Sequence, residues 1–237
     1  MGVFYREPVS HTTSFFFWHW RLKKGEPTLD NFKNYVEFLF RDFDHFPQIG
    51  FVSPKPLGME DMSKADPKII QEILDEYDFI GINERYDESL VALRLILNLN
   101  PGDILYLSSK VSGGYDSGAR GGCHKIPEKI EWPGFKEFVS SPYWKRRYRL
   151  PKSLYYAANR SLDLTIDRLG RDRFNKALAE HKQLMALINE KCADNTIFPC
   201  SDGVLQMEKA SLNCYKSDFG CGYPCIDEVM KEVEKQS

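Results

Sequence analysis

Arg6, Glu7, Pro8 and Ser14 are the first residues whose types and spacing suit chemistry. An arginine fork grips a phosphate bidentately, and the N-terminus of a helix adds a favourable dipole beside it. For the two to act together, a strand must end at Arg6 and a helix must start just after it. The sequence supplies both. Val3-Phe4-Tyr5 is apolar enough to end a buried strand, and Pro8 suits the first helical position, where its missing N–H would be unsatisfied anyway. Ser14 then lies about two turns down the helix, so its hydroxyl and Arg6 are expected to face one crevice at the carboxyl end of a sheet. His11 and His19 share that helix. Each is either a base or a packed side chain, the latter being the commoner use of a histidine there.

A second group is Glu84-Arg85. Phe79 to Ile82 is an apolar run of strand length, and from Glu88 the apolar positions 90, 91, 93, 95, 96 and 97 predict a largely buried helix. Glu84 and Arg85 thus sit where catalytic groups gather in α/β folds, and a structural ion pair is the competing reading. Lys110 opens a third group, a glycine-rich stretch running to Gly122 that also holds Arg120. It lacks the Walker spacing and no Gly-Lys-Ser or Gly-Lys-Thr occurs in the chain, so this is no nucleotide P-loop. It reads as a surface loop or as a lid over an anion.

Between these groups the chain alternates helices with the two strands. Thr28 is expected to cap a helix through Phe32, Tyr35, Val36, Leu39 and Phe40, and a helix opening near Asp66-Pro67 leads to the Phe79 strand. Glu131 to Arg149 mixes Trp132, Phe135, Phe138, Tyr143 and Trp144 with Lys145-Arg146-Arg147. Such a mixture suits either stacking on a sugar face or packing at a domain edge. Tyr155 to Lys191 reads as two helices broken at Gly170, and Val229 to Gln236 as a short terminal helix.

Of the six cysteines, Cys192, Cys200, Cys214, Cys221 and Cys225 crowd the region 192–225, and Cys123 stands alone, either free or paired with that tail. Asn213 to Cys225 is rich in Gly and Pro and is expected to be a stapled loop rather than a helix. No Cys-x-x-Cys pair and no histidine occurs there, which argues for disulfides over zinc and so for an oxidising compartment.

Arg6, Glu7, Pro8 and Ser14, with the aromatic run after them, resemble the 3′-phosphate-binding motif of sulfotransferases. The strand followed by Glu84-Arg85-Tyr86-Asp87-Glu88-Ser89-Leu90 and a leucine-rich helix is similar to membrane-bound Golgi sulfotransferases, closest to the galactose 3-O-sulfotransferase group that includes the galactosylceramide enzyme. Leu154 to Leu162, with the sequon Asn159-Arg160-Ser161, resembles a helix of the same group. The resemblance implies an α/β fold with a P-loop-NTPase-like parallel sheet flanked by helices, in one domain over 1–237. It implies 3′-phosphoadenosine 5′-phosphosulfate as sulfuryl donor, with Arg6 and Ser14 on its 3′-phosphate, and a glycan or glycolipid acceptor. Golgi lumenal placement and an N-glycan on Asn159 follow from the same likeness. The family's phosphosulfate loop, its base and its membrane anchor are expected upstream of Met1, making this the carboxyl-terminal part of a longer enzyme; an inactive lumenal carbohydrate- or nucleotide-binding homologue is the alternative.

Composition fits a folded body. The chain has 237 residues, 42% hydrophobic and 14% aromatic, enough for a sizeable core. A formal charge of −2 gives no global attraction to nucleic acid, and no run of about 18 apolar residues spans a bilayer.

Overall fold

The computed structural model describes residues 2–23, 25–42, 52–53, 57–116, 123–201, 204–205 and 221–236. It is mostly helical, with a small parallel sheet of two strands. Its backbone gathers into two compact units, one formed by 1–16, 25–93 and 130–171, the other by 17–24, 94–129 and 172–237.

In the first unit β1 (Gly2–Tyr5) pairs in parallel with β2 (Phe79–Ile82), Tyr5 facing Ile82 in register. Parallel pairing brings both strands to the same end, so the residues that follow each, Arg6 and Asn83-Glu84-Arg85, emerge side by side. β2 is buried along its whole length. Gly81 is required where it stands: an added Cβ would meet the Phe4 ring at 2.7 Å. Among the described residues this pair is the whole of the parallel sheet, much smaller than the P-loop-like sheet expected from the sequence.

Helix α1 (Pro8–Trp20) starts at the proline, as its chemistry dictates, and Glu7 caps it by accepting the Ser10 N–H at 2.7 Å. Helix α2 (Leu29–Asp42) opens on a reciprocal cap: the Thr28 hydroxyl accepts from the Asn31 N–H at 3.2 Å, while the Asn31 amide oxygen accepts from the Thr28 N–H at 3.0 Å. The short α3 (Met59–Lys64) precedes α4 (Pro67–Asp75), which Asp66 caps through the Lys68 N–H at 2.8 Å. A single 3₁₀ turn, Asn83–Arg85, joins β2 to α5 (Tyr86–Leu97). The buried Ser89 hydroxyl pins that junction, accepting from the Ile82 N–H at 2.8 Å and donating to the Ile82 carbonyl at 3.2 Å.

After α6 (Phe135–Ser140) and α7 (Pro142–Arg147), helix α8 (Arg149–Leu169) runs across β2 and buries Leu150, Leu154, Ala158, Leu162 and Ile166 at helical spacing. Phe32, fully buried, lies at the centre of an aromatic cluster with Phe16, Trp132, Phe135, Phe138 and Trp144, ring centroids 5.4–6.1 Å from its own. The Trp132 indole N–H is satisfied by the Pro27 carbonyl at 2.8 Å. Of the two readings open for these aromatics, packing is what Trp132, Phe135, Phe138 and Trp144 do.

In the second unit, helix α9 (Arg171–Cys192) packs Ile188 and Cys192 against Leu105, Ile226 and Val229, the last two from α10 (Tyr223–Gln236). Gly170, with φ +86°, ends α8 at the expected break. Two-residue strand pairs complete the unit: β3 (Tyr115–Asp116) with β4 (His124–Lys125), and β5 (Cys200–Ser201) with β6 (Val204–Leu205), both antiparallel. Cys123 is bonded to Cys200 and Cys192 to Cys225, and Cys221 is also disulfide-bonded. Cys214 lies outside the described residues. One sequence expectation fails here: Tyr223 to Cys225 is the first turn of α10 rather than loop. Proline is tolerated in a first helical turn, so Pro224 starts the helix instead of barring it.

Among the described residues no helix is long and apolar enough to cross a membrane.

Candidate functional site

The ends of β1 and β2 place three of the sequence-selected residues together. Arg6, half-buried, donates from Nε to the Ser10 hydroxyl at 3.1 Å and lies 3.8 Å from the Glu84 carboxylate. Glu84 in turn accepts the Glu7 N–H on both carboxylate oxygens, at 3.1 and 3.2 Å. Burial, then the nearby Glu84 charge, raises the pKa of Tyr155 on α8 above its ordinary value, so this phenol stays protonated. Glu84 is therefore the clamp that fixes the start of α1 to the end of β2, with Arg6 held beside it.

Ser10 was not singled out in the sequence, although its place was legible. It stands four residues after Arg6 and four before Ser14, so the two serines share one face of α1. Ser14 is exposed on that face. The arginine and the two hydroxyls thus line up along the first two turns of the helix.

His11 is the next ionisable group on this helix. Burial, then the Arg6 charge, lowers its pKa to about 4, so at neutral pH it is an uncharged imidazole stacked on Phe15 at 5.8 Å. A group that gives up its proton so readily is a poor base near pH 7. His19 instead sits edge-on to Trp18 at 4.9 Å.

Arg85 turns away from Glu84. It donates to Glu88 from Nε at 3.0 Å and from a terminal nitrogen at 2.5 Å, and its other terminal nitrogen reaches Asp163 at 2.8 Å and the Asn159 side-chain oxygen at 3.0 Å. Burial opposes its charge, but Glu88 and Asp163 more than offset this and hold its pKa above the ordinary value. Glu84 and Arg85 are not each other's partners: one anchors α1, the other joins α5 to α8. The sequon asparagine is drawn into this second network, half-buried in mid-helix.

Lys110 belongs to the other unit. It lies 3.3 Å from Asp116, which is buried and also paired with the buried Arg21 at 2.8 Å. The Arg21 guanidinium lies 3.7 Å over the Trp18 ring and donates to the Trp18 carbonyl. Two cations on one buried carboxylate make this a structural cluster. The glycine-rich stretch beyond it, 117–122, lies outside the described residues. Among the described residues no group of three His, Cys, Asp or Glu is placed to hold a metal ion.

The arrangement is a half-buried arginine, engaged by Ser10 and Glu84, at the start of α1 beside the carboxyl ends of two parallel strands, with Ser10 and Ser14 on one face of the helix. Comparison with family models, with curated proteins and with solved structures finds no match for this chain.

Proposed function

We propose that this chain carries the nucleotide 3′-phosphate half of a sulfuryl-transfer site, using 3′-phosphoadenosine 5′-phosphosulfate to modify a sugar hydroxyl of a glycan or glycolipid. The observation that carries the reading is the alignment of Arg6 with the Ser10 and Ser14 face of α1, directly after β1 and beside the end of its parallel neighbour. Two parallel strands, each followed by a helix, support the reading, which would need them to belong to a larger parallel sheet. Disulfides accord with a lumenal setting such as the Golgi. With His11 held neutral and weakly basic, the role assigned to these residues is to hold the cofactor, not to take the acceptor's proton.

Calorimetric titration with 3′-phosphoadenosine 5′-phosphate and with adenosine 5′-phosphate tests it. Arg6→Ala is expected to weaken the first by about tenfold or more, since hydrogen bonds to a charged group are worth ~1.5–3 kcal/mol each, and to leave the second nearly unchanged. Arg6→Lys restores part of the loss, and Ser14→Ala costs less than Arg6→Ala. Equal losses for the two nucleotides, in a variant whose melting temperature is unchanged, would reduce Arg6 to a strand cap and sink the reading.

A further inference from the structure

A cavity of about 440 Å³ opens in the first unit, walled by the start of α1, the end of α6, α7 and the first turns of α8. Its volume falls within the ~300–1,000 Å³ range of small-molecule sites. Lys145, Arg149, Lys152 and Tyr156 all line it. They recur at i, i+4, i+7 and i+11, one face of a nearly continuous helical path in which only Tyr148 separates α7 from α8.

The charge of this cavity is unbalanced. None of the three cations has a carboxylate within ion-pair distance among the described residues. The one acidic lining residue, Glu7, already caps α1 through the Ser10 N–H. Three like charges held along one wall repel one another, a cost that an anionic occupant would remove. The back of the cavity is apolar and rigid: Trp144 and Tyr148, both buried, stack nearly parallel at 3.7 Å, and the Tyr148 hydroxyl is fixed to Thr12 at 2.9 Å. Tyr156 is different, for it is 59% exposed, with the Lys152 ammonium over its ring at 5.8 Å from the centroid. Ser140 and Ser153 add hydroxyls to the rim.

We propose that this cavity binds an acidic saccharide, with Lys145, Arg149 and Lys152 meeting its anionic groups and Tyr156 covering the apolar face of one ring. Cations spread over two helical turns match anionic groups spread over more than one sugar better than a single small anion. Hydroxyls in the lining and a single exposed aromatic ring, rather than two that sandwich a planar base, favour a sugar over a nucleobase. The inference stands apart from the nucleotide site, whose Arg6, Ser10 and Ser14 do not line this cavity.

The test is calorimetric titration of the whole chain with chondroitin 4-sulfate disaccharide, with neutral lactose and with inorganic sulfate. The acidic disaccharide is expected to bind, more weakly as salt rises, and lactose is expected not to. Lys145→Gln with Arg149→Gln and Lys152→Gln, all at exposed positions, should lower its affinity by about tenfold or more, and Lys145→Glu alone should do so in part. Tyr156→Ala should lower affinity for the disaccharide several-fold and leave sulfate unaffected. Arg6→Ala should change none of these values, which keeps failure here distinct from failure of the nucleotide reading. Lactose binding as tightly as the acidic disaccharide would overturn the proposal. So would full affinity in the triple variant, sulfate binding as well as the disaccharide, or displacement of the disaccharide by 3′-phosphoadenosine 5′-phosphate.

Discussion

The two units hold themselves together by different means. The first has no cysteine; its interior is the Phe32 cluster, the Trp144–Tyr148 stack and the apolar stripe of α8. The second contains all six cysteines, together with a small apolar cluster and the Arg21–Asp116–Lys110 group. A large aromatic core stabilises by area removed from water, whereas cross-links stabilise chiefly by limiting the unfolded chain. The difference teaches where each kind of damage should register: shape errors in the first unit, redox errors in the second.

The largest effect is expected from emptying the centre of the aromatic cluster. Phe32→Ala should cost ~3–5 kcal/mol, read from denaturant unfolding, with no change in sensitivity to reductant. An effect below about 1 kcal/mol would mean the cluster re-forms around the gap and is no true counterpart to the cross-links.

Nearly as large is the loss of a cross-link. Cys192 and Cys225 are separated by 33 residues, and releasing a loop of that size costs ~3–4 kcal/mol in the chain-entropy model. Cys192→Ser should therefore unfold at lower denaturant than wild type under oxidising conditions, and the gap should narrow in dithiothreitol. A gap of the same size with and without reductant would assign the loss to the buried packing of Cys192 instead.

The smallest effect is a pH dependence that belongs to the first unit. His11 titrates near 6.5 when unfolded and near 4 when folded, so the unfolded chain takes up a proton first as pH falls. Its contribution is complete above about pH 6.5 and is lost between there and pH 4, by at most ~3 kcal/mol and by less for the part of the ring that reaches solvent. His11→Phe should flatten that slope in an unfolding series from pH 7 to 4. A slope unchanged by the substitution would place the titration elsewhere.

Local rules made much of the fold legible. Pro8, Thr28, the Asp66-Pro67 pair and Gly170 each announced a helix boundary through backbone chemistry that needs no tertiary context, and the structure places boundaries at all four. β2 matches the apolar run from Phe79 to Ile82 residue for residue. The early start of α10 was hidden because Gly220 and Gly222, just before Tyr223, and Pro224 itself read as loop, although a proline suits a first helical turn. At the candidate site, Arg6 and Glu84 were identifiable by type and position, but their proximity follows from strand pairing across more than seventy residues. Ser10 had a local signal, the i+4 step. Arg85 had none that pointed to Asn159 and Asp163, since only the packing of α8 brings those side chains to it.

The disulfide connectivity constrains the order in which the chain can be made. Cys123 leaves the ribosome 77 residues ahead of Cys200, and Cys192 comes out between them. At roughly 5–20 residues per second the Cys123 thiol waits several seconds for its partner, and the first cysteine to reach it is the wrong one. The two native bridges also interleave, since Cys192 lies inside the span from 123 to 200 and Cys225 outside it. Wherever the chain is oxidised as it emerges, vectorial pairing in order of appearance gives a non-native product. Reaching the native pattern then requires thiol exchange after synthesis, which makes the yield of this protein dependent on a disulfide isomerase.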